Sequence, residues 1–247
     1  MRTTPLETEA DSKDLCTNTA TKKAPLVIEI VGPAGAGKTT LLCALCERSK
    51  TIRPGIGIHR ARHLLTLIGN VLYWQPTFIP YSSQRRWLSW GEIRSMSYLH
   101  GWQRILRHPT SNDGRVVVFD HGPIFRLVQL REFGPESTKS HRYGRWWSSM
   151  LKRWAHTLNI IVWLDTREPV LLERLQTRTK GHHRIKRLSE DESYEFLARY
   201  RSAYKGIITK LTGDGCQTLL YFDTSKHSTE QIADKVLAAC NLVGREI

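Results

Sequence analysis

The segment that most constrains the fold of this chain is GPAGAGKT at residues 32–39. It follows a short apolar run at 26–31 and opens a helical pattern at 39–49. The spacing G-x-x-x-x-G-K-[ST] between a strand and a helix is typical of a loop that wraps a phosphate group with backbone N–H groups. The N-terminus of the following helix adds partial positive charge. The segment therefore predicts a phosphate-binding loop at the end of a buried strand.

Each part of this loop is suited to binding ATP. Glycines let the backbone turn inward and approach the β-phosphate without a Cβ clash. Lys38 is suited to bridge the β- and γ-phosphates, and Thr39 is suited to hold Mg²⁺. ATP and Mg²⁺ are therefore the expected cofactors. The residues expected to contact the nucleotide are Gly32, Pro33, Ala34, Gly35, Ala36, Gly37, Lys38, Thr39 and Thr40.

Strands and helices alternate along the chain. Four apolar runs lie at 26–31, 115–120, 160–165 and 218–223. Runs that are apolar on both faces are typical of strands buried in a parallel sheet. Helical patterns lie at 39–49, 59–73, 85–107, 169–179 and 189–211, and a further one follows residue 228. The pattern predicts an α/β domain of three layers.

Asp120 ends the apolar run that precedes it. A carboxylate at the C-terminal tip of a neighbouring parallel strand faces the same crevice as the phosphate-binding loop. Asp120 is suited either to hold Mg²⁺ through water or to accept a proton from the phosphoryl acceptor. We predict it as a catalytic and metal-binding residue. Asp165 and Asp223 also end apolar runs, and for them capping of a turn or helix is the favoured interpretation.

The net charge of +14 is unevenly distributed. Three segments, 60–107, 139–153 and 174–187, together hold eighteen of the 37 basic residues and only one acid, Glu92. Such clustering indicates sites for an anionic ligand more than a uniformly basic surface. The function classes it favours bind phosphorylated small molecules or nucleic acid.

The length of the apolar runs and the number of cysteines argue against a membrane protein and against a secreted disulfide-rich protein. No apolar run approaches the roughly 20 residues that cross a bilayer, and residues 1–23 lack the apolar core of a secretory signal. Five cysteines are too few and uneven for a disulfide scaffold and indicate a reducing compartment, so we expect a cytoplasmic protein without membrane partners. Residues 1–24 lack periodicity and are expected to form a disordered tail, and residues 25–247 a single domain.

Beyond these patterns, the sequence resembles the nucleoside and nucleotide kinases that carry a P-loop, and thymidylate kinases most of all. The resemblance is clearest in VWLD at 162–165, ERLQTR at 173–178, RI at 184–185, ESYEF at 192–196 and the stretch 199–204. The ending YFD at 221–223, followed by a helix from Ser228, is also similar to that family.

The resemblance implies a fold and a set of roles. It implies a P-loop NTPase fold with a five-stranded parallel sheet, a helical acceptor-binding insertion at 52–109 and a lid at 178–188. In this family, Arg178 would pack against adenine and Arg184 would neutralise the transferred phosphoryl group. Both are thus predicted catalytic residues, and Arg178 also contacts ATP. Arg174 would take either role, or would pair with acids on its own helix.

The acceptor half departs from the thymidylate kinase pattern. The arginine that would follow Asp120 is replaced by His121, and the glutamate before the first loop glycine is replaced by Val31, with Glu29 two residues earlier. By residue type, Arg94 and Gln103 are candidate acceptor-binding residues, together with His121. The aromatic and arginine content of the insertion suits a flat, anionic or aromatic acceptor.

These features together predict an ATP- and Mg²⁺-dependent kinase whose small-molecule acceptor is a nucleotide or nucleoside. The alternative is a nucleic-acid-binding P-loop NTPase or polynucleotide kinase, in which the basic segments form a phosphate track. A third hypothesis is an NTP-dependent switch without an acceptor. The sequence leaves the acceptor and the oligomeric state open, a homodimer included.

Overall fold

The sheet has five parallel strands in the order β2-β3-β1-β4-β5. A computed structural model of the protein describes residues 24–55, 90–107, 116–134, 141–177, 188–213 and 217–243. The strands are β1 (Leu26–Val31), β2 (Ile52–Pro54), β3 (Val116–Phe119), β4 (Ile160–Asp165) and β5 (Thr218–Asp223). The central strand β1 is paired with β3 on one side and with β4 on the other.

Seven helices are present in the described part of the chain. They are α1 (Lys38–Arg48), α2 (Trp90–Leu106), α3 (Pro123–Glu132), α4 (His141–Ala155), α5 (Glu168–Gln176), α6 (Glu190–Gly213) and α7 (Thr229–Leu242). Helix α7 begins with a capping box, in which the Ser228 hydroxyl accepts from the Gln231 amide and the Gln231 side chain accepts from the Ser228 amide. The last helix therefore begins where the sequence pattern places it, directly after residue 228.

The two faces of the sheet carry separate cores because alternate residues of each strand point to opposite sides. On one face, Val31, Phe119 and Trp163 pack with helices α2, α3, α4 and α6. On the other face, Ile30 and Val162 pack mainly with α1, α5 and α7. The three-layer α/β architecture with a five-stranded parallel sheet is therefore confirmed.

The carboxyl ends of the strands define where a ligand can bind. Chain order reverses beside β1, since β3 and β4 lie on opposite sides of it. Glu29 of β1 is level with Phe119 of β3 in the ladder, so the loops after these two strands leave the same edge of the sheet. In open parallel sheets, ligands bind in the crevice at such a switch point.

Sequence patterning predicts most, but not all, of these elements. The runs at 26–31, 160–165 and 218–223 are strands with those bounds, and the run at 115–120 is a strand over its four central residues. Strand β2 is only three residues long, too short to show periodicity. Helices α3 and α4 are absent from the predicted pattern.

Helix α4 contains the described part of the basic segment at 139–153. Its buried face is formed by aromatic residues and Met150, whereas its cationic residues Arg145, Lys152 and Arg153 are exposed. The buried aromatic residues of this face are Tyr143, Trp146, Trp147 and Trp154. The buried residues recur at 143, 146, 147, 150 and 154, which is helical spacing, so the segment does carry a periodicity signal for this helix.

Several predicted regions lie outside the described residues. These are residues 1–23 of the expected tail, residues 56–89 and 108–109 of the insertion, and residues 178–187 of the expected lid. Among the described helices, none combines the length and the apolar character that a bilayer crossing requires.

Candidate active site at the phosphate-binding loop

The loop between β1 and α1 depends on glycine at its bends. Gly32, Gly35 and Gly37 have φ values of 146°, 85° and 89°, a region that favours glycine. A Cβ atom at Gly32 would lie 2.0 Å from the carbonyl oxygen of Leu164. Because a side chain at position 32 would clash with this oxygen, only glycine lets the loop pack this closely against β4. This cradle of inward-turned backbone fits the phosphate chain of a nucleotide.

Lys38 is the first residue of α1 and lies over the loop. Its Nζ atom donates hydrogen bonds of 2.9 Å to the carbonyl oxygens of Gly32 and Pro33. The ammonium group is thus held at the rim of the cradle by neutral acceptors. An anionic phosphate oxygen would be a stronger partner for it, because two opposite full charges attract each other more strongly than a full charge attracts the partial charge of a carbonyl oxygen.

Thr39 and Asp120 are brought together from positions 81 residues apart in the chain. The Thr39 hydroxyl donates a 2.5 Å hydrogen bond to Asp120 Oδ2. The second carboxylate oxygen, Asp120 Oδ1, is buried without a hydrogen-bond partner among the described residues. A hydroxyl and an unsatisfied carboxylate are hard oxygen donors of the kind Mg²⁺ prefers, so these residues fit the ion.

A cavity of about 320 Å³ opens beside Lys38 and Thr39. It is bounded on one side by His121 and Phe125, whose rings meet edge to face with centroids 4.5 Å apart. His121 Nδ1 lies 3.7 Å from Asp120 Oδ2. The cavity is lined by Gly32, Ala34, Gly35, Gly37, Lys38, Thr39, His121, Phe125, Gln129, Phe196, Leu197, Tyr200 and Tyr204.

The far wall of this cavity comes from helix α6. Phe196, Tyr200 and Tyr204 are four residues apart, so they form one stripe on the helix. The ring centroids of Phe196 and Tyr200 are 4.9 Å apart, and those of Tyr200 and Tyr204 are 6.1 Å apart. Burial and the nearby carboxylate of Glu29 raise the pKa of Tyr204 well above its usual value, so its hydroxyl stays neutral. The stripe gives the cavity an apolar, aromatic wall.

A second cavity, of about 310 Å³, lies on the other side of the same loop. Its most polar group is Arg174 of α5, which donates to the Thr224 hydroxyl at 2.9 Å and to the Thr224 carbonyl at 3.1 Å. It also reaches the carbonyl of Gly35 at 3.5 Å. Arg174 therefore links the loop to the turn after β5, and no hydrogen bond or ion pair joins it to an acid of its own helix among the described residues. The cavity is lined by Gly35, Ala36, Gly37, Thr40, Leu41, Leu164, Arg174, Thr177, Thr224, His227, Thr229 and Ile232.

Glu29 lies beneath the first cavity in the middle of β1 and is fully buried. Its two carboxylate oxygens accept hydrogen bonds from the amides of Ile124 and Phe125, at 2.8 Å and 3.0 Å. Burial raises the pKa of Glu29 to about 8, against the opposing effect of these amides and of Arg126. Glu29 is not among the predicted site residues, although a single acid within the apolar run LVIEIV is a signal for one.

The predicted acceptor residues of α2 lie apart from the first cavity. Gln103 is buried, and its Nε2 atom has no hydrogen-bond partner among the described residues. The Arg94 guanidinium lies 5.8 Å from the ring centre of Tyr98. Neither side chain lines the first cavity, whereas His121 does. Arg178 and Arg184 lie outside the described residues, so their roles remain predictions.

The other strand-ending aspartates make structural contacts. Asp165 accepts from the amide of Thr166 and is bound by Arg201 of α6 at 2.9 Å. Asp223 accepts from the amide and the hydroxyl of Ser225, which lowers its pKa. The contacts of Asp223 agree with the capping interpretation, whereas Asp165 is mainly the partner of Arg201 in a buried ion pair and does not cap the following helix.

The sequence patterns do not predict several residues of the site. Phe125 and Gln129 belong to a helix that the pattern does not predict. The α6 aromatic stripe is visible as the spacing 196, 200, 204, but the spacing alone does not distinguish a cavity wall from core. The bond between Arg174 and Thr224 joins residues 50 positions apart and has no local signal.

No protein-family model matches the chain, and no curated protein matches it by sequence. Among solved structures it is similar to three of deoxyadenosine kinase from M. mycoides. With the products dCMP and a flexible dCDP bound, that enzyme is 11% identical over 88% of this chain, with a TM-score of 0.48. Its dCTP and dATP complexes are each 14% identical over 88% and 87% of this chain, with TM-scores of 0.47 and 0.48. In all three the match covers 100% of the kinase chain. At these values the likeness transfers no substrate and no residue role.

Proposed function

We propose that this chain is an ATP-dependent phosphotransferase that moves the γ-phosphoryl group to a small-molecule acceptor. The observation that carries the proposal is that two cavities flank one P-loop and share Gly35 and Gly37 in their linings. A donor on one side and an acceptor on the other would then meet over the same backbone amides. Phosphoryl transfer depends mainly on positioning and on charge stabilisation, which such an arrangement supplies.

We assign the second cavity to the base of the donor nucleotide. It adjoins the first turn of α1, through Thr40 and Leu41, and it carries hydroxyl groups from Thr177, Thr224 and Thr229. Arg174 fixes the turn after β5 against the P-loop and thus sets the width of this cavity. The family resemblance adds Arg178 as a group that would pack against adenine.

We assign cation binding to Thr39 and Asp120. Bound there, Mg²⁺ would supply positive charge to the phosphates during transfer. Lys38 would exchange its two carbonyl partners for phosphate oxygens. By resemblance, Arg184 of the expected lid would close over the transferred group. We further propose that residues 25–247 form one kinase domain with an insertion at 52–109 and a lid at 178–188.

The first cavity favours a flat, uncharged acceptor. Its wall consists of the rings of Phe125 and the α6 stripe, and Lys38 is the one lysine or arginine among its described lining residues. Aromatic walls stack on a ring, and the Gln129 amide can donate and accept at a base edge. Within the nucleotide-or-nucleoside class, we therefore favour a nucleoside. With Asp120 on the cation, the attacking hydroxyl would lose its proton toward His121, whose Nδ1 lies 3.7 Å from Asp120 Oδ2.

A paired ligand screen tests the proposal. Nucleosides, deoxynucleosides and their 5′-monophosphates are added with Mg²⁺ and a non-hydrolysable ATP analogue, and the melting temperature is measured. A ligand at 100 times its Kd stabilises the folded state by about 2.7 kcal/mol. Positive ligands are then assayed with labelled ATP for a phosphorylated product. We expect transfer to at least one nucleoside; ATP hydrolysis that no acceptor alters would instead identify an NTP-dependent switch.

A specific observation favours nucleic-acid binding as a second function. Helix α4 contains no acid, and its exposed residues Arg145, Lys152 and Arg153 make no ion pair with a described residue. Arg131 and Lys210 lie over the ring of Trp147, which belongs to the buried face of the same helix, at 5.4 Å and 5.3 Å from its ring centre. Binding through several phosphates would weaken steeply with salt. Absence of RNA and DNA binding at low salt would exclude this function.

A further inference from the structure

Helix α3 begins without a cap from its own sequence. The residue before its first turn is Gly122, which has no side chain, and Pro123 has no amide hydrogen. The next amides of the turn still need acceptors, because the first four N–H groups of a helix have none within it. Ile124 and Phe125 are buried or half-buried there, so water is a poor substitute.

Glu29 supplies both missing acceptors from another strand. Each of its oxygens takes one amide, from Ile124 at 2.8 Å and from Phe125 at 3.0 Å. The donors lie about 95 residues away in sequence. The middle of β1 and the start of α3 are thus joined by two hydrogen bonds to one side chain.

The connection between β3 and α3 lies directly against this carboxyl group. A Cβ atom at Gly122 would lie 2.9 Å from Glu29 Cδ and 2.5 Å from Phe119 Cβ. The backbone at 120–122 therefore has little space to shift while Glu29 keeps its bonds. Asp120 and His121 both project from this short connection, toward the cation site and the first cavity.

We propose that Glu29 is a positioning residue that fixes the 120–122 backbone and thereby places Asp120 and His121 beside the P-loop. The inference rests on the proposed function for its consequence in catalysis. Among the described residues, Glu29 forms no hydrogen bond with the loop 32–39, and its one hydrogen bond to a lining residue of the first cavity is with the backbone amide of Phe125. Its loss should affect the Asp120 side of the site and leave the donor cavity, built by Arg174 and Thr224, unchanged.

The chain offers a matched control at the other end of the same strand. The Asn159 side chain accepts from the amide of Val27 at 2.8 Å, so it also ties β1 by a side chain-to-backbone bond. It lies at the edge of the sheet opposite to the P-loop, since Val27 is at the start of β1. Asn159→Ala should destabilise the fold without changing transfer.

The test compares Glu29→Gln with Asn159→Ala. The glutamine keeps one oxygen acceptor but turns an NH₂ group toward the second amide. We expect kcat to fall on the order of 10- to 100-fold, as for a small misplacement of reacting groups, with the Kd of ADP within about twofold of wild type. Equal losses in kcat and ADP affinity, or wild-type kcat in Glu29→Gln, would overturn the proposal. So would the same kcat loss in Asn159→Ala.

A second variant and an exchange measurement distinguish a failure of the Glu29 positioning role from a failure of the proposed phosphotransferase function. The Cβ atom added by Gly122→Ala would crowd the Glu29 carboxyl group from the side of the 120–122 connection. If Glu29→Gln fails to fold, this variant takes its place, and we expect the same loss of kcat with unchanged ADP affinity. Hydrogen exchange at the amides of Ile124 and Phe125 should be faster in Glu29→Gln and unchanged in Asn159→Ala. If the wild-type chain transfers phosphate to no acceptor, the proposed function fails, and unchanged exchange at these two amides would independently reject the positioning role.

Discussion

Lys38 bridges two carbonyl oxygens of its own loop, and a bound phosphate chain would replace them as its partner. We predict that Lys38→Ala abolishes phosphoryl transfer while the melting temperature stays close to that of wild type, because the two lost bonds are to a partly exposed loop. Lys50→Ala is the matched control, since Lys50 is an exposed lysine just after the same helix. Initial rates with labelled ATP and thermal melts measure both effects. Undiminished turnover in Lys38→Ala would reject the assignment of the P-loop as the donor site.

Substitution of Asp120, at the same edge of the sheet, tests the chemical step separately from nucleotide binding. Asp120→Asn keeps the shape of the side chain and an oxygen for the Thr39 hydroxyl, but it removes the negative charge that a cation needs. We predict a rate loss on the order of 100-fold or more, with a change in ATP affinity of only a few-fold. Single-turnover rates and nucleotide titration separate the two quantities. Equal losses in both would indicate a structural role for Asp120.

At the scale of elements, helix α6 is fixed to the end of β4 by one arginine. Arg201 binds Asp165, Glu168 and the carbonyl of Thr166, and its side chain is only 16% exposed. Asp165 is 8% exposed, so removal of the arginine leaves a buried carboxylate without its cation. The same helix supplies the aromatic wall of the first cavity, so this clamp also sets the position of that wall.

We predict that Arg201→Ala lowers the free energy of unfolding by about 3 kcal/mol, as expected when one partner of a buried ion pair is removed. The control is Arg199→Ala on the same helix, whose 58% exposed side chain pairs with Glu132. An exposed pair contributes about 0–1 kcal/mol. Denaturant titration of both variants gives the comparison, and a loss in Arg201→Ala no larger than in the control would refute the clamp.

At the scale of the whole molecule, two buried groups should shape the dependence of stability on pH. Trp146 Nε1 donates to His100 Nε2 at 3.1 Å, which requires a neutral ring, and burial together with Arg153 lowers the pKa of His100 to about 4. Stability should therefore fall as the pH drops from about 6.5 toward 4. Burial raises the pKa of Glu29 to about 8, so stability should also fall as the pH rises from about 4.5 through 8.

The free energy of unfolding, measured by denaturant titration across this range, should reach its maximum near pH 5 to 6. His100→Gln should flatten the acid limb and Glu29→Gln the alkaline limb. His156→Gln is the control, because His156 is exposed at the end of α4. An alkaline limb that persists in Glu29→Gln would show that another group causes it.

Much of the fold follows from patterns within short segments. The loop 32–39 and strands β1, β4 and β5 are predicted with their observed bounds because each depends on neighbouring residues alone. Strand β2 and helices α3 and α4 are not predicted. The strand is too short to show a period, and the start of α3 is capped by a residue of another strand. The apolar positions of α4, at 143, 146, 147, 150 and 154, do have helical spacing, so this helix could be predicted from its own residues.

The sequence by itself determined the P-loop and the alternation of strands with helices, since both are encoded by residues that are adjacent or one helical turn apart. Only the tertiary structure decided the composition of the site. The sheet order places β1 between β3 and β4, which brings Glu29 under the start of α3, Asp120 against Thr39, and the aromatic stripe of α6 around the first cavity. These contacts join residues tens of positions apart, and their geometry depends on how the layers pack rather than on any local pattern.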